Sequence, residues 1–300
     1  KRLKVPKKTI HQLDLRGRRL FVRADFNVPI RNGVIDDDTR IRSTLPTLTY
    51  ALNRGATLII GSHLGRPKGS ANPAFTLQPV ADRLTQLLDC PVLFSPEATG
   101  KQAANAVTAA EPGKIVLLEN LRFHPGEEAN DNEFAAALAS LADCYVNDAF
   151  GAAHRAHAST VGIVRHLNDA AAGLLMSKEL SHLGSLLDSP SRPFAAVLGG
   201  AKVSGKLEVI ENLLGKVDTL LIGGAMAYTF FKSQGIQVGR SLVEDSLIDT
   251  VNAIARNADA QGIRLELPTD HVVTDRLETG ATTHTIDVRD PSIGQRLGVD

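Results

Sequence analysis

Short apolar runs, many of them rich in β-branched residues, alternate with amphipathic segments along most of this chain. In the first half the runs are Leu20–Arg23, Thr57–Gly61, Val92–Phe94, Lys114–Leu118 and Cys144–Asn147. Segments with a helical period lie between them at 44–54, 76–89, 100–110 and 131–142. A strand–helix alternation of this kind predicts an α/β fold with a parallel sheet that is covered by helices on both faces.

The alternation breaks between residues 170 and 190, where Ala170–Leu187 predicts one long helix rich in Ala and Leu. The alternation then resumes with strands at Phe194–Leu198, Thr219–Ile222 and 263–267 and helices at 205–214, 225–234 and 245–260. Three hundred residues exceed one ordinary core and fit two domains. We therefore predict two doubly wound parallel-sheet (Rossmann-like) domains, 1–170 and 189–300, joined by a hinge helix over 171–188.

Composition excludes several classes of function. Lys and Arg together number 33, as do Asp and Glu, so a nucleic-acid partner is not expected and any anion site must be local. No run approaches the roughly 18 apolar residues of a membrane span, and the basic start has no apolar segment after it that would make a secretory signal. The two cysteines, Cys90 and Cys144, lack metal-ligand spacing, which favours a reducing cytoplasmic compartment.

Five basic side chains follow separate apolar runs in the first half. They are Arg40, His63, Arg66, Arg122 and Arg155. Loops after the strands of a parallel sheet converge on one edge, where ligands bind. This pattern favours a cationic cluster that an anion neutralises, although five unrelated surface cations remain an alternative. Histidines near the arginines lack the spacing of a zinc site, so we assign no metal ligand.

Two further motifs carry polar groups at strand ends. Asp25 and Asn27 have period two after the run that ends at Arg23, so both side chains point the same way if the strand continues. They suit a hydroxyl- or carboxylate-bearing small molecule, or they are simply turn formers. The segment from Gly200 to Lys206 nearly has the P-loop spacing, but Leu207 stands where that motif needs Ser or Thr. It indicates either a site for anionic oxygens at a helix start or a tight turn with surface lysines.

A second glycine turn, Gly223-Gly224, follows the next strand. Neither turn contains G-x-G-x-x-G with an acidic residue about 20 positions on, which argues against a nicotinamide-dependent dehydrogenase. Two such turns after neighbouring strands would admit a planar base and a ribose. A non-catalytic sugar-phosphate-binding protein remains the other alternative, and it would use the basic cluster without Lys202 and Lys206.

Several of these motifs together resemble the phosphoglycerate kinase family, in order and over essentially the whole chain. They are VRADFNVP at 22–29, SHLGRP at 62–67, LLENLRFH at 117–124, YVNDAFGAAHRAHAS at 145–159, LGGAKVSGK at 198–206 and IGGAMAYTF at 222–230. The resemblance implies a monomeric cytoplasmic enzyme of glycolysis that moves the acyl phosphate of 1,3-bisphosphoglycerate to ADP, giving 3-phosphoglycerate and ATP, with Mg²⁺. Such a transfer needs positioning and charge neutralisation, and closure of two half-sites to exclude water.

The resemblance also implies a role for each matching residue. Catalytic roles fall to Arg40, Lys202 and Lys206. Binding of 3-phosphoglycerate falls to Asp25, Phe26, Asn27, Arg40, His63, Leu64, Gly65, Arg66, Arg122, His154 and Arg155. Nucleotide binding falls to Gly200, Ala201, Lys206, Gly223, Gly224 and Gly298.

The chain departs from the family pattern at its end. The family continues with an Asn-Gly-Pro-Met-Gly strand end, a nucleotide-binding Glu and a Gly-Gly-Gly-Asp turn, and none of them is present in this sequence. We therefore expect that the parent protein continues, that the second domain is incomplete here, and that the activity belongs to the full-length protein.

Overall fold

The computed structural model describes residues 7–188 and 190–299. The basic start up to Pro6, the Ser189 that follows the predicted hinge helix, and Asp300 lie outside the described residues. The chain divides into two compact units, Lys1–Leu183 and Gly184–Asp300. In the described part of the chain, no helix is both long enough and apolar enough to cross a membrane.

The first unit contains most of the regular structure. Its strands are β1 (Arg19–Arg23), β2 (Ile30–Arg31), β3 (Val34–Ile35), β4 (Thr57–Gly61), β5 (Val92–Ser95), β6 (Ile115–Leu118), β7 (Cys144–Asn147) and β8 (Ala170–Ala172). Its helices are α1 (Thr39–Asn53), α2 (Gln78–Leu88), α3 (Gly100–Ala109), α4 (Pro125–Glu128), α5 (Asn132–Ala139) and the first part of α6 (Leu174–Asp188).

Six of these strands form one parallel sheet in the order β5-β6-β4-β1-β7-β8, while β2 and β3 form a separate hairpin. The side chains of β1 alternate between two hydrophobic cores, one on each face of the sheet. Leu20 and Val22 belong to one core and Phe21 belongs to the other. The chain first extends the sheet on the β4 side of β1 and later on the β7 side. This reversal beside β1 creates the kind of crevice at the carboxyl ends of the strands in which α/β proteins bind ligands.

The second unit combines two small sheets. Its strands are β9 (Ala195–Leu198), β10 (Thr219–Ile222), β11 (Arg264–Glu266), β12 (Asp270–Thr274), β13 (Thr283–Asp287) and β14 (Leu297–Gly298), and its helices beyond α6 are α7 (Leu207–Leu214), α8 (Ala227–Ser233) and α9 (Ile248–Ala260). A parallel sheet has the order β11-β10-β9, and an antiparallel sheet has the order β13-β12-β14. The α/β class predicted from the sequence is confirmed, but the antiparallel sheet was not predicted.

The predicted helix over Ala170–Leu187 is wrong for its first residues. Ala170–Ala172 forms strand β8, which pairs in parallel with Tyr145–Asn147. Alanine favours helices, yet pairing with the edge of an existing sheet outweighs that local preference here. The helix begins only at Leu174, after Gly173.

Two side chains from other elements hold the start of α6. Oδ1 of Asp148 accepts a hydrogen bond from the Met176 amide at 3.1 Å, and Oγ1 of Thr47 accepts one from the Leu174 amide at 2.9 Å. Asp148 is fully buried, and burial raises the pKa of its carboxyl. A methyl group on Gly173 would overlap this carboxylate, so the close approach requires glycine.

We expect Gly173→Ala to destabilise the first unit by about 1–3 kcal/mol, because the added methyl group must displace the buried Asp148 side chain. Gly184→Ala is the matched control, since it lies inside α6 with no atom within 4 Å of an added Cβ. That change should be neutral or stabilise by up to about 1 kcal/mol. Urea unfolding followed by circular dichroism measures both. Equal stability of the two variants would contradict this account of Gly173.

Candidate functional site

Hydrogen bonds join the loops that follow β1, β4 and β6 at the carboxyl edge of the first unit's sheet. The Gly65 amide donates to Oδ1 of Asn27 at 2.9 Å, and Nη1 of Arg122 donates to the Gly65 carbonyl at 2.8 Å. The Phe26 amide donates to Oγ of Ser62 at 2.8 Å. Gly65 has a φ of 62°, and a side chain there would overlap Phe75, so glycine is required at this junction. The three loops therefore form one connected rim.

The charges of four arginines act on His63, which is buried at this rim. Burial lowers the pKa of His63 to about 2, and the charges of Arg23, Arg122, Arg155 and Arg40 all act in the same direction. The nearest contact is 3.3 Å, between Nη2 of Arg23 and Nδ1 of His63. Three of the predicted cations, Arg40, Arg122 and Arg155, are thus close enough for their charges to keep the His63 imidazole neutral. Arg66 lies exposed one residue after Gly65, and His154 lies exposed beside Arg155.

The acidic partner of this rim is Asp25. Its Oδ2 lies 2.8 Å from Nη1 of Arg40, and Asp25 is 13% exposed while Arg40 is 53% exposed. A methyl group on Gly151 would lie 2.8 Å from the same oxygen, so the loop after β7 also approaches Asp25 closely. Asp25 therefore orients Arg40 while leaving about half of that side chain accessible.

Arg122 is held more tightly than the other predicted cations. It is 3% exposed, and its Nε lies 3.1 Å from Oε1 of Glu128. Burial lowers the pKa of the Arg122 guanidinium. The charges of Glu128 and Glu127 raise this pKa, whereas those of Arg155 and Arg23 lower it further. Within the described residues, Nη2 of Arg122 is buried with no hydrogen-bond acceptor. Positive charge on this rim is therefore only partly compensated by the protein.

Two predicted site residues, Phe26 and Leu64, have their side chains in the core rather than on the rim. The side chain of Asn120 binds both backbone groups of Leu64, accepting from the amide at 3.3 Å and donating to the carbonyl at 2.8 Å. A role for Phe26 or Leu64 in ligand binding would have to use backbone atoms or shape the loop.

Sequence reasoning missed the buried polar residues that support the rim. They are Arg23, Ser62, Glu119, Asn120, Glu127 and Ser159. The sequence pattern could have identified three of these residues. Arg23 ends the apolar run of β1, and Glu119 and Asn120 directly follow the apolar run of β6. Charged groups at such positions are costly to bury unless they are paired, which marks them as parts of a network.

In the second unit, the two glycine turns pack against each other. The Met226 amide donates to the Gly200 carbonyl at 2.8 Å, and the Gly223 amide donates to the Leu198 carbonyl at 2.8 Å. Gly224 has a φ of 66°, and a methyl group on it would lie 2.8 Å from the Gly200 nitrogen. The contact between the two turns therefore leaves no room for a side chain at position 224.

The helix start that was predicted to receive anionic oxygens already has an acceptor. Glu244 accepts hydrogen bonds from the amide of Ser204 at 3.0 Å and from its hydroxyl at 2.6 Å. These bonds hold the pKa of the Glu244 carboxyl below its ordinary value. Lys202 and Lys206 remain exposed, and Cε of Lys206 would lie 3.9 Å from a methyl group on Gly200. The exposed lysines, rather than the Ser204 amide, are the groups here that can receive an anion.

Gly298 lies in β14 beside the first turn of α8. A side chain there would overlap the hydroxyl of Tyr228, and the Gly298 amide donates to Oγ of Ser241 at 2.9 Å. Packing against Tyr228 is thus sufficient to explain this glycine. Among the described residues, no group of three or more His, Cys, Asp and Glu side chains is arranged to hold a metal ion.

The depressed pKa of His63 has a consequence for stability. The folded imidazole, with a pKa of about 2, binds fewer protons than the unfolded one, whose ordinary value is 6.5. The free energy of unfolding should therefore be highest above about pH 6.5 and fall with pH below it, by up to about 1.4 kcal/mol per pH unit from this group.

We expect His63→Gln to flatten that fall between about pH 6.5 and 4.5. Urea unfolding over a pH series measures the slope, and His284→Gln, at an exposed position of β13, is the control that should keep it. An unchanged slope in His63→Gln would contradict the assignment of a neutral buried imidazole.

Comparison with known proteins gives consistent matches. The family model described as phosphoglycerate kinase matches residues 10–300. A phosphoglycerate kinase of Acidobacterium capsulatum is 54% identical over 289 residues, which cover 94% of this chain and 72% of that relative. One of Chlorobium luteolum is 50% identical over 295 residues, covering 98% of this chain and 74% of the relative.

Two solved structures are also similar. Phosphoglycerate kinase from Coxiella burnetii has a TM-score of 0.82 and 38% identity, and the match covers 98% of this chain and 74% of that one. The enzyme from Pyrococcus horikoshii OT3 has a TM-score of 0.76 and 29% identity, with 94% and 71% covered.

Proposed function

This chain belongs to the phosphoglycerate kinase family, and on that premise we propose a role for each of its two half-sites. The protein is a glycolytic phosphotransferase that transfers the acyl phosphate of 1,3-bisphosphoglycerate reversibly to ADP, giving 3-phosphoglycerate and ATP. Its substrates are small molecules, one of them a nucleotide.

The rim of the first unit is proposed to bind 3-phosphoglycerate and the glycerate part of 1,3-bisphosphoglycerate. The observation that carries this proposal is that the charges of Arg40, Arg122 and Arg155 all act on a neutral, buried His63. A substrate with a phosphate and a carboxylate supplies the negative charge that the rim lacks. Arg66 and His154 extend the same surface, and Asp25 and Asn27 suit the substrate hydroxyl.

Arg40 is the residue proposed to contact the phosphoryl group in transfer. Phosphoryl transfer depends on positioning and on neutralising charge on the transferred group, with little covalent chemistry by the protein. Arg40 is accessible, and the salt bridge to Asp25 at 2.8 Å restrains it. The attacking oxygen belongs to a carboxylate or a phosphate and is already an anion, so no strong general base is required.

The second unit is proposed to bind the nucleotide. Gly200, Ala201, Gly223 and Gly224 form the two packed turns, whose small residues allow close approach of a base and ribose. Gly298, in β14, is assigned to the same nucleotide site. Lys202 and Lys206 would neutralise phosphate oxygens, with Lys206 meeting those of the transferred group. We treat Mg²⁺ as part of the nucleotide substrate, because Mg²⁺ is usually bound through substrate phosphates rather than by an all-protein cage.

These assignments give the proposed domain roles. Residues 1–170 bind the acid substrate, 189–300 bind the nucleotide, and 171–188 connect the two domains. We also propose that the protein acts as a monomer in the cytoplasm. Two free cysteines, with Cys144 buried, are compatible with a reducing compartment.

Arg40→Ala should lower kcat in the full-length protein by about 10²–10³-fold, as for the loss of one donor to a transition-state oxyanion. The variant should keep its fold, because about half of the Arg40 side chain is exposed. Arg42→Ala is the matched control on the same helix, where Arg42 pairs with Asp38 at 2.8 Å. A coupled ADP/ATP assay measures both. A near-wild-type kcat for Arg40→Ala would exclude the proposed role, and no turnover by the wild-type protein would favour a binding protein instead.

Arg66→Ala and Arg122→Ala should both raise the KM for 3-phosphoglycerate more than the KM for ATP, through charge-assisted hydrogen bonds worth about 1.5–3 kcal/mol. The two variants should differ in their stability to unfolding. Arg66 is exposed, whereas Arg122 is 3% exposed and bonds the Gly65 carbonyl, so only Arg122→Ala should also lower the midpoint of urea unfolding. Equal effects on the two KM values would contradict a separate acid half-site.

A further inference from the structure

Beneath the rim lies an ion pair that is closed to solvent. Arg23, the last residue of β1, and Glu127, in α4, both have 0% exposed side chains, and Nη2 of Arg23 lies 3.9 Å from Oε1 of Glu127. A buried charge without an opposite charge would be strongly destabilising. Each of these residues therefore requires the other, although neither lies on the accessible surface of the rim.

Ser159 connects the two charges in a defined direction. Its Oγ accepts a hydrogen bond from Nε of Arg23 at 2.7 Å and donates one to Oε1 of Glu127 at 2.6 Å. The Ser159 amide donates to Oε2 of Glu127 at 3.0 Å, and Tyr145 donates to the Ser159 carbonyl at 2.9 Å. Because the Arg23 Nε can only donate, the hydroxyl proton must point to Glu127. Glu127 and Ser159 thus fix the plane of the guanidinium.

That fixed plane determines what Arg23 presents to His63. Nη1 of Arg23 donates to the Ala24 carbonyl, which leaves Nη2 at 3.3 Å from Nδ1 of His63. A guanidinium has no acceptor, so Nδ1 must be the unprotonated nitrogen of the ring. The neutral imidazole then carries its proton on Nε2.

The other neighbours of the network do not replace this contact. Nδ1 of His157 lies 3.7 Å from Oε1 of Glu127, too far for a hydrogen bond, and burial lowers the pKa of His157. His157 therefore adjoins the same carboxylate without serving as the partner of Arg23.

We propose that Glu127 and Ser159 are positioning residues that act through Arg23 to hold His63 as the Nε2–H tautomer, so that the ring offers a donor, and not a lone pair, to the anionic substrate. The substrate part of this inference rests on the proposed function. The opposite tautomer would direct a lone pair at substrate oxygens and lose one hydrogen bond while adding repulsion.

Long-range ¹H–¹⁵N spectra of protein with ¹⁵N-labelled histidine report the tautomer directly, without any ligand. His63 should appear as the Nε2–H form at about pH 7. Glu127→Gln and Ser159→Ala should shift it to a mixture of tautomers, and Ser159→Thr, which keeps the hydroxyl, should restore the wild-type spectrum. An Nδ1–H or doubly protonated His63 in the wild-type protein would overturn the proposal even if no variant folds.

Kinetics on the full-length protein test the functional part. Glu127→Gln and Ser159→Ala should raise the KM for 3-phosphoglycerate about 5- to 30-fold while the KM for ATP and the kcat change little, and Ser159→Thr should stay near wild type. Altered tautomers with an unchanged KM would overturn the link to substrate. The Nε2–H spectrum together with no binding of 3-phosphoglycerate in calorimetry would instead contradict the proposed function and leave the positioning network in place.

Discussion

The pairing of strand β1 with β4 on one side and β7 on the other is the constraint on which the first unit depends. In this register, Arg23 at the end of β1 lies opposite Gly61 and Asn147, the last residues of the neighbouring strands. Three loops therefore leave the sheet at one level and carry their polar side chains to one edge. A shift of one residue in any of these strands would exchange its core face for its opposite face and separate these groups.

The elements that sequence analysis predicted best are the strands with long continuous apolar runs. Thr57–Gly61, Cys144–Asn147 and Thr219–Ile222 have the predicted bounds, because buried parallel strands carry an apolar residue at nearly every position. The strands that were not predicted lack such an apolar, β-branched run. Ala170–Ala172 has helix-forming residues, and β13 is largely polar and exposed. Ala170–Ala172 becomes a strand by pairing with Tyr145–Asn147, which is distant in sequence, and β13 does so by pairing antiparallel with the preceding strand, β12.

The same distinction applies to the candidate site. The position of Arg122 and Arg155 could be inferred, because both follow strands of one parallel sheet and topology alone brings such loops to one edge, whereas Arg40 lies in the first turn of α1. The pairing of Arg23 with Glu127 could not, since those residues are far apart in the chain and their burial depends on how α4 packs. A similar contact, between Ser204 and Glu244, occupies the helix start in the second unit that the sequence suggested for an anion.

Asp148 gives the first unit a mechanical link between two segments. It follows β7 directly, so the loop that leads to Arg155 leaves the sheet at the same residue whose carboxylate holds the Met176 amide. The first turn of α6 cannot rotate about its axis without breaking that bond or moving the start of the loop. Rotation of the helix is therefore coupled to the loop through the Asp148 side chain. This coupling depends on the close approach of Asp148 to Gly173, which has no side chain.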